Sequence, residues 1–429
     1  VTGVHRSLVR RHGAVLAACA LAILVFAVSA AAATVHPGKF FGAVVPDIPT
    51  GGHLPRGPIA HAANLPYGGG PVMHSNRTHV IFWAPSGSSL QYDPGYEALV
   101  ERFMRDVAAD SHKPTNVYGL SGQYHDQTGG VAAYNSTFAG AVATTDPLPP
   151  NGCVPPPTGP GWTVCLNDAQ LENEIRRVIS VNALPIGMRD IYILVMPNGM
   201  GTCETTGPEN CALGGVSVAG SFCGYHSTTP DATILYAVIP YNAVSGHCQS
   251  SNPRPNSSTA DPALSTISHE HNETVTDPLG TGWIDGAGNE DGDLCIQQYG
   301  PVLGGSGAAV WNQSIHGGHY FLQEEWSNVN ASCRPRTASA SVSFVSPARV
   351  RAGRALTLTG RARDPHPHGK IVAFNWFFGD GGRSSRRTSH HTFARAGSYR
   401  IVLRVTDSWG NWAFVAHTVR VTQARSKAT

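Results

Sequence analysis

The pattern of apolar and polar positions divides the 429-residue chain into stretches of different character. Ala14–Val28 is one short, unbroken apolar run behind Arg6, Arg10 and Arg11, and small residues follow at Ser29–Ala33. That order predicts a secretory signal peptide over residues 1–33. The run is short for the ~20 apolar residues of a bilayer span, which argues against a retained anchor. No other stretch is long enough to cross a membrane. Residues 34–69 lack periodicity and are rich in Pro, Gly and His, as expected of a linker or pro-segment.

From about Gly70 the pattern alternates between the two regular periods. Strands are predicted at His79–Trp83, Asn116–Leu120, Ala132–Ala143, Ile191–Met196, Val216–Ala219 and Thr233–Ile239. Tyr96–Ala109 reads as a helix with Leu99, Phe103 and Val107 on one face. A second helix opens at Asn167, where Gln170 completes a capping box and Leu171, Ile175 and Val178 point inward. This predicts a mixed α/β domain over residues 70–337. Beyond Ala338 short runs recur at Ser341–Val345, Leu356–Gly360, Ile371–Phe378, His391–Phe393, Tyr399–Asp407 and Ala413–Val421. Turn residues separate them, which predicts a β-sandwich of ~80–90 residues over 338–423, with a tail at 424–429.

One further helix is marked at both ends. Asp261 is a good N-cap, Pro262 suits the first helical position, and Pro278 halts the helix after Thr276. At ~100° per residue, Leu264, Ile267, His271, Thr274 and Val275 share one face. His269, Glu270, Glu273 and Thr276 share the other. Read plainly, this is an amphipathic helix with a solvated polar face.

Composition changes the picture in two respects. Lys and Arg total 30 against 28 Asp and Glu, so a net charge of +2 gives no pull toward nucleic acid or an anionic membrane. Arg far outnumbers Lys and the first residue is Val, which suggests a GC-rich bacterial gene read from an alternative start codon. Of nine cysteines, Cys19 lies in the signal segment. The remaining eight, Cys153, Cys165, Cys203, Cys211, Cys223, Cys248, Cys295 and Cys333, fit four disulfides in an exported domain. Sequence proximity favours Cys153–Cys165 and Cys203–Cys211.

The marked helix also carries candidate chemistry. In His-Glu-x-x-His helices the residues at i and i+4 hold zinc and the Glu is the general base. Here Glu273 stands at the second ligand position, and a carboxylate is an acceptable zinc ligand. It makes the site more anionic and opens it to other divalent metals. Glu290, Asp291 and Asp293 follow a Gly-rich turn and could return a third ligand. The third-ligand candidates are Asp293, Glu290 and His226; for His226, a hydrogen-bonded structural histidine is the other reading. His271 projects onto the apolar face and reads as a core histidine. Asn289-x-Asp291-Gly-Asp293 partly resembles a calcium loop without the full spacing or the distal Glu. No Gly-x-Ser-x-Gly elbow or P-loop occurs.

The residues Ser268–Glu273 (SHEHNE), Thr276–Pro278 (TDP), Trp283 and Glu290–Cys295 (EDGDLC) together resemble the phosphate-induced protein 1 (EXORDIUM-like) family and its bacterial relatives. So do Phe82–Trp83, Gln123–Tyr124, Cys165–Leu166, Cys223–His226 (CGYH) and Leu322–Asn328 (LQEEWSN), in that order. The resemblance implies a distant zincin-type metallopeptidase. Separately, Phe374–Gly381 (FNWFFGDG), His391–Phe393, Gly397–Tyr399 and Val405–Asp407 resemble a polycystic-kidney-disease-type (PKD) domain. That implies a spacer or surface-binding unit with no catalysis of its own, with Trp376 filling the core and Gly379–Gly381 turning the chain.

The expected fold class is α+β: a zincin-like mixed α/β domain stapled by disulfides, then a C-terminal Ig-like β-sandwich. The expected function is a secreted metal-dependent hydrolase, a peptidase acting on protein or peptide. Zn2+ would be held by His269 and Glu273 with Asp293 or Glu290, and Glu270 would act as base. The alternative is a non-catalytic extracellular or cell-surface binding protein that uses the PKD domain for contacts with a cell-surface polymer. Neither reading involves nucleic acid or a membrane span in the mature chain.

Overall fold

The computed structural model describes residues 64–154, 162–207, 210–212, 222–244, 248–249 and 251–423, and the backbone of 41–44. The signal segment, the tail and the strand expected at Val216–Ala219 lie outside the described residues. No described helix is long and apolar enough to cross a membrane.

The first domain is built on a mixed sheet. Its strands are β1 (Phe41–Val44), β2 (Asn76–Trp83), β3 (Ser136–Thr144), β5 (Asp190–Val195), β7 (Gly224–Thr228) and β8 (Leu235–Ile239), in the order β1-β7-β8-β5-β2-β3. The remaining early strands, β4 (Val164–Asn167) and β6 (Met200–Cys203), form a separate parallel pair. Strands β3, β2, β5 and β8 run parallel, β7 turns back against β8, and β1 pairs antiparallel with β7. Every residue of β5 is buried because both faces of the sheet are covered. Ile191, Ile193 and Val195 pack with helices α1 (Tyr96–Ala109) and α3 (Asp261–Thr276). Tyr192 and Leu194 face the opposite way, toward Leu171, Ile175 and Val178 of α2 (Asp168–Val181). Burying one such aliphatic or aromatic side chain contributes roughly 1.5–3 kcal/mol. The segment 34–69, read above as linker or pro-segment, contributes β1 to this sheet, and Leu65 is buried with its backbone bonded to Asn328.

Several local expectations are met in detail. Asn167 and Gln170 form the capping box of α2. Helix α3 spans Asp261–Thr276, but its N-cap is Ala260 rather than Asp261. The Asp261 carboxylate instead accepts from the backbone of Asn256 and Ser258, bracing the turn before the helix. The strand expected at Asn116–Leu120 is a 3-10 helix over Val117–Gln123. Asn116 Oδ1 accepts from Tyr118 N and starts that turn, so local side-chain capping overrides the apolar run.

Four disulfides join Cys153–Cys165, Cys203–Cys211, Cys223–Cys248 and Cys295–Cys333. The last ties the segment after α3 to the short hairpin of β11 (Glu325–Ser327) with β12 (Ser332–Arg334), which follows another, β9 (Gln313–Ile315) with β10 (Gly318–Tyr320).

The C-terminal domain is a sandwich. Strands β14 (Arg349–Arg351), β21 (Trp412–Thr422), β20 (Gly397–Asp407), β17 (Ile371–Phe377) and β18 (Arg383–Ser384) form one sheet. The pairs β13 (Ser341–Ser343) with β16 (Arg361–Arg363) and β15 (Ala355–Thr359) with β19 (Thr388–Thr392) complete it. Strand β15 alternates strictly, with Leu356 and Leu358 buried between exposed neighbours. Trp376 is fully buried among Phe344, Phe378 and Leu403, and its Nε1 donates to Arg386 O. Gly379 and Gly381 have φ of 85° and 93°, a conformation that glycine adopts without strain.

The sandwich is clamped to the first domain. Trp412 N donates to His112 O, His112 Nδ1 lies 2.8 Å from Gly410 O, and Asn411 Nδ2 donates to Gly119 O at 3.0 Å. The His112 and Trp412 rings stack at 4.2 Å. Gly122 has no room for a side chain, since a Cβ would lie 2.1 Å from Trp409 O.

Candidate metal centre

All sixteen residues of α3 are buried. The solvated polar face expected of an amphipathic helix is therefore absent, and its polar residues face other protein groups. His271 lies against the sheet, its Nε2 2.9 Å from Thr78 Oγ1 and its ring edge-on to Tyr118, as a core histidine does. Burial lowers its pKa to about 4.

The opposite side of α3 holds His269, Glu270 and Glu273, with exposures of 1%, 0% and 0%. Three other elements converge on them. The chain turns back after Thr276 because Asp277 Oδ1 accepts from the amides of Thr281 and Gly282. This returns Glu290, Asp291 and Asp293 to the helix. His226 comes from β7, three residues after the Cys223–Cys248 bridge. Gln323 comes from the segment leading into β11, and Glu325 is the first residue of that strand.

The distances define two groups. His269 Nε2 lies 3.0 Å from Glu273 Oε1 and 3.6 Å from Asp293 Oδ1. His226 Nδ1 lies 3.4 Å from Glu270 Oε2 and 3.7 Å from Glu273 Oε2, while its Nε2 is 3.6 Å from Glu290 Oε2. Within His269–Glu273–Asp293, and within His226–Glu273–Glu290, one ligand-type atom per residue falls within 4.8 Å of the others. His269 Nε2, Glu273 Oε2 and both Glu290 oxygens have no hydrogen-bond partner, although they are buried. Uncompensated burial of such groups costs roughly 1–3 kcal/mol each, and more when charged.

The backbone holds the acids in place. Asp293 N donates to Glu273 Oε1 at 2.9 Å, and Glu290 N to Asp293 Oδ2 at 3.1 Å. Gly292 passes so close that a Cβ would lie 2.7 Å from His269 Nδ1. Gln323 Nε2 sits 3.0 Å from that same Nδ1 and donates to Gly292 O. No Lys or Arg forms an ion pair with Glu273, Glu290, Asp291 or Asp293 among the described residues. Burial accordingly pushes Glu273 upward with help from Asp293, and Glu290 with help from Glu273 and Asp277. Burial would lower His269, but Glu273, Asp293 and Glu270 hold it well above its ordinary value. Burial draws His226 down to about 3.

The calcium-loop reading of Asn289, Asp291 and Asp293 is not supported by these contacts. Asn289 Nδ2 donates to Asp285, Asp291 Oδ1 accepts from Thr276 Oγ1, and only Asp293 joins His269. Sequence reasoning left Gln323 and Glu325 without a role. Their LQEEWSN stretch was visible, but nothing in its pattern says that it lies against α3.

Comparison with known proteins bears on the sandwich. A microbial collagenase of Vibrio alginolyticus is 45% identical over 53 residues, 12% of this chain. The chain spans only 6% of that relative's length. The PKD1 domain of Vibrio anguillarum Epp is 26% identical over 20% of this chain and 94% of its own, with a TM-score of 0.17. For the PKD1 domain of the Vibrio cholerae metalloprotease PrtV the values are 26%, 19%, 93% and 0.16. The family profile described as "PKD domain" matches residues 339–422, so the C-terminal sandwich is a PKD domain.

Proposed function

We propose that this chain is an exported metal-dependent hydrolase of the zincin type, a peptidase, with its PKD domain as an accessory module. The observation that carries the reading is the meeting of His269 Nε2, Glu273 Oε1 and Asp293 Oδ1 within 3.6 Å of the imidazole nitrogen, buried and without hydrogen-bond geometry at that nitrogen. Groups that need partners and share one focus fit a divalent cation. One imidazole and two carboxylates suit Zn2+ or Mn2+. Ligation at Nε2 leaves the ring proton on Nδ1, so Gln323 Nε2 would keep its bond to Gly292 O and give up the one to Nδ1.

When bound, the cation supplies Lewis acidity and lowers the pKa of water. Glu270 precedes Glu273 by three residues on the same helix and is the group placed to accept the proton of an attacking water, then return it to the leaving amine. The Gly224 backbone opposite leaves it room, since a Cβ there would lie 3.2 Å from Glu270 Oε1. The four disulfides favour an oxidising compartment, which supports export. A stretch of 53 residues resembles part of a protein named as a microbial collagenase, which supports the reading.

Elemental analysis of protein purified without chelator tests the reading, together with two variants. His269→Ala should lose the metal and the hydrolysis together. Glu270→Gln should keep the metal and reduce hydrolysis by ~100-fold or more. Wild-type protein that neither carries nor takes up a divalent metal would favour the non-catalytic binding protein instead.

A further inference from the structure

We propose that the centre takes two divalent cations, with the Glu273 carboxylate shared between them: His269 and Asp293 complete one set, and His226 and Glu290 the other. The inference rests on the hydrolase reading for its first cation and goes beyond it for the second.

The geometry of Glu273 carries it. Its Oε1 faces His269 Nε2 at 3.0 Å, and its Oε2 faces His226 Nδ1 at 3.7 Å. One carboxylate thus looks toward both imidazoles, and one ligand-type atom each of His226, Glu273 and Glu290 lies within 4.8 Å of the others, as one each of His269, Glu273 and Asp293 does. Glu290 is the independent observation. It is fully buried, neither of its oxygens has a hydrogen-bond partner, and the nearest cationic candidate is His226 Nε2 at 3.6 Å. A single cation at His269, Glu273 and Asp293 leaves that carboxyl without a cationic partner in the interior. The charge balance points the same way. Glu270, Glu273, Glu290 and Asp293 face the two imidazoles, and no Lys or Arg forms an ion pair with the last three among the described residues. With Asp291 and Glu325 also buried beside them, the carboxylates are more than one divalent cation offsets.

The second set is placed by rigid elements. His226 sits on β7, three residues after Cys223 of the Cys223–Cys248 bridge, and Glu290 is fixed through its N–H to Asp293 Oδ2. With one nitrogen and two carboxylates, the second set has the same chemistry as the first, so both suit Mn2+ and Zn2+. The two cations should therefore be of one kind when one kind is supplied.

The test loads full-length protein with Mn2+, removes the unbound ion, and measures metal per chain and the electron paramagnetic resonance spectrum. Two equivalents and an exchange-coupled spectrum are expected. Glu290→Gln should retain one equivalent and give the six-line spectrum of an isolated ion, and His226→Asn should do the same. One equivalent in the wild type, with an uncoupled spectrum and no change in Glu290→Gln, would overturn the second site and leave the single-metal reading intact. A fall from one equivalent to none in Glu290→Gln would make Glu290 a ligand of a single ion, and would also overturn the proposal. No bound metal at all would remove both readings. The wild-type measurement decides the matter even if a variant fails to fold.

Discussion

The two domains fill their interiors in opposite ways. The sandwich core is apolar: Leu356, Leu358, Trp376, Phe378, Phe393, Ile401, Leu403 and Val405 meet between sheets whose outer faces stay exposed or half-buried. The first domain buries an entire helix whose polar residues outnumber its apolar ones. An apolar core stabilises by leaving water. A polar core stabilises only if each group is matched, and Glu273 Oε2 and both Glu290 oxygens have no hydrogen-bond partner. The first domain itself offers a control. Asp190 is also buried, but it bonds Arg77 at 2.6 and 3.0 Å and His79 at 2.9 Å. Burial would raise its pKa, yet these partners hold it below the ordinary value. A buried acid with a cation beside it is a structural element; the buried acids without one are the groups that the proposed cations would match.

The contrast can be broken most severely in the sandwich. Trp376→Ala should destabilise that domain by ~3–5 kcal/mol, the usual cost of emptying a large aromatic site. Hydrogen exchange should rise in peptides covering 371–407 and stay unchanged over 261–295. If both change equally, the cores are not independent.

Removing metal should do the reverse. A cation present at 100 times its Kd contributes about 2.7 kcal/mol. Chelation should therefore speed exchange over 261–295 and spare 371–407. Unchanged exchange over 261–295 would mean that the acids are matched by protein after all.

A smaller effect is expected at the junction. His112→Ala removes the ring stacked on Trp412 and should cost ~0.5–1.5 kcal/mol, measured by the shift of the denaturant midpoint. His112→Phe should recover part of this by restoring the stack.

The smallest effect concerns Asp190. Its folded pKa lies below its unfolded one, so its contribution is complete above about pH 4 and drains away as pH falls through the lower folded value. Asp190→Asn should be less stable than wild type at pH 6, and the difference should shrink as pH approaches 2. A difference independent of pH would show that charge plays no part.

How much of this was legible in the sequence depended on whether the signal was local. The limits of α3 were legible from Pro262 and Pro278, and the Asn167–Gln170 box and the sandwich strands from caps and alternation. The neighbouring cysteine pairs Cys153–Cys165 and Cys203–Cys211 were favoured by proximity and are formed. Asn116–Leu120 misled because a side-chain cap outweighed an apolar run. Strands β14, β16 and β18 were missed because each is only two or three residues long. The burial of the polar face of α3 was not legible at all. Periodicity reports that two faces differ, and it is silent on whether the polar one meets water or other protein groups. For the same reason Gln323 and Glu325, drawn in from a distant segment, carry no local mark of their destination, whereas His226 is a ligand candidate on the sequence and does lie beside Glu270, Glu273 and Glu290.

The junction at His112, Gly119 and Gly122 bears on how the PKD domain works. A module on a slack tether samples many poses, and whatever it grips reaches the rest of the molecule at random distances and angles. Here the loop Trp409–Trp412 is bonded and stacked onto the first domain, and Thr337 N donates to Pro114 O just before the sandwich begins. The sandwich is a bracket with one pose. Anything seated on its outer face keeps a constant bearing toward α3, so reach is given up in return for aim.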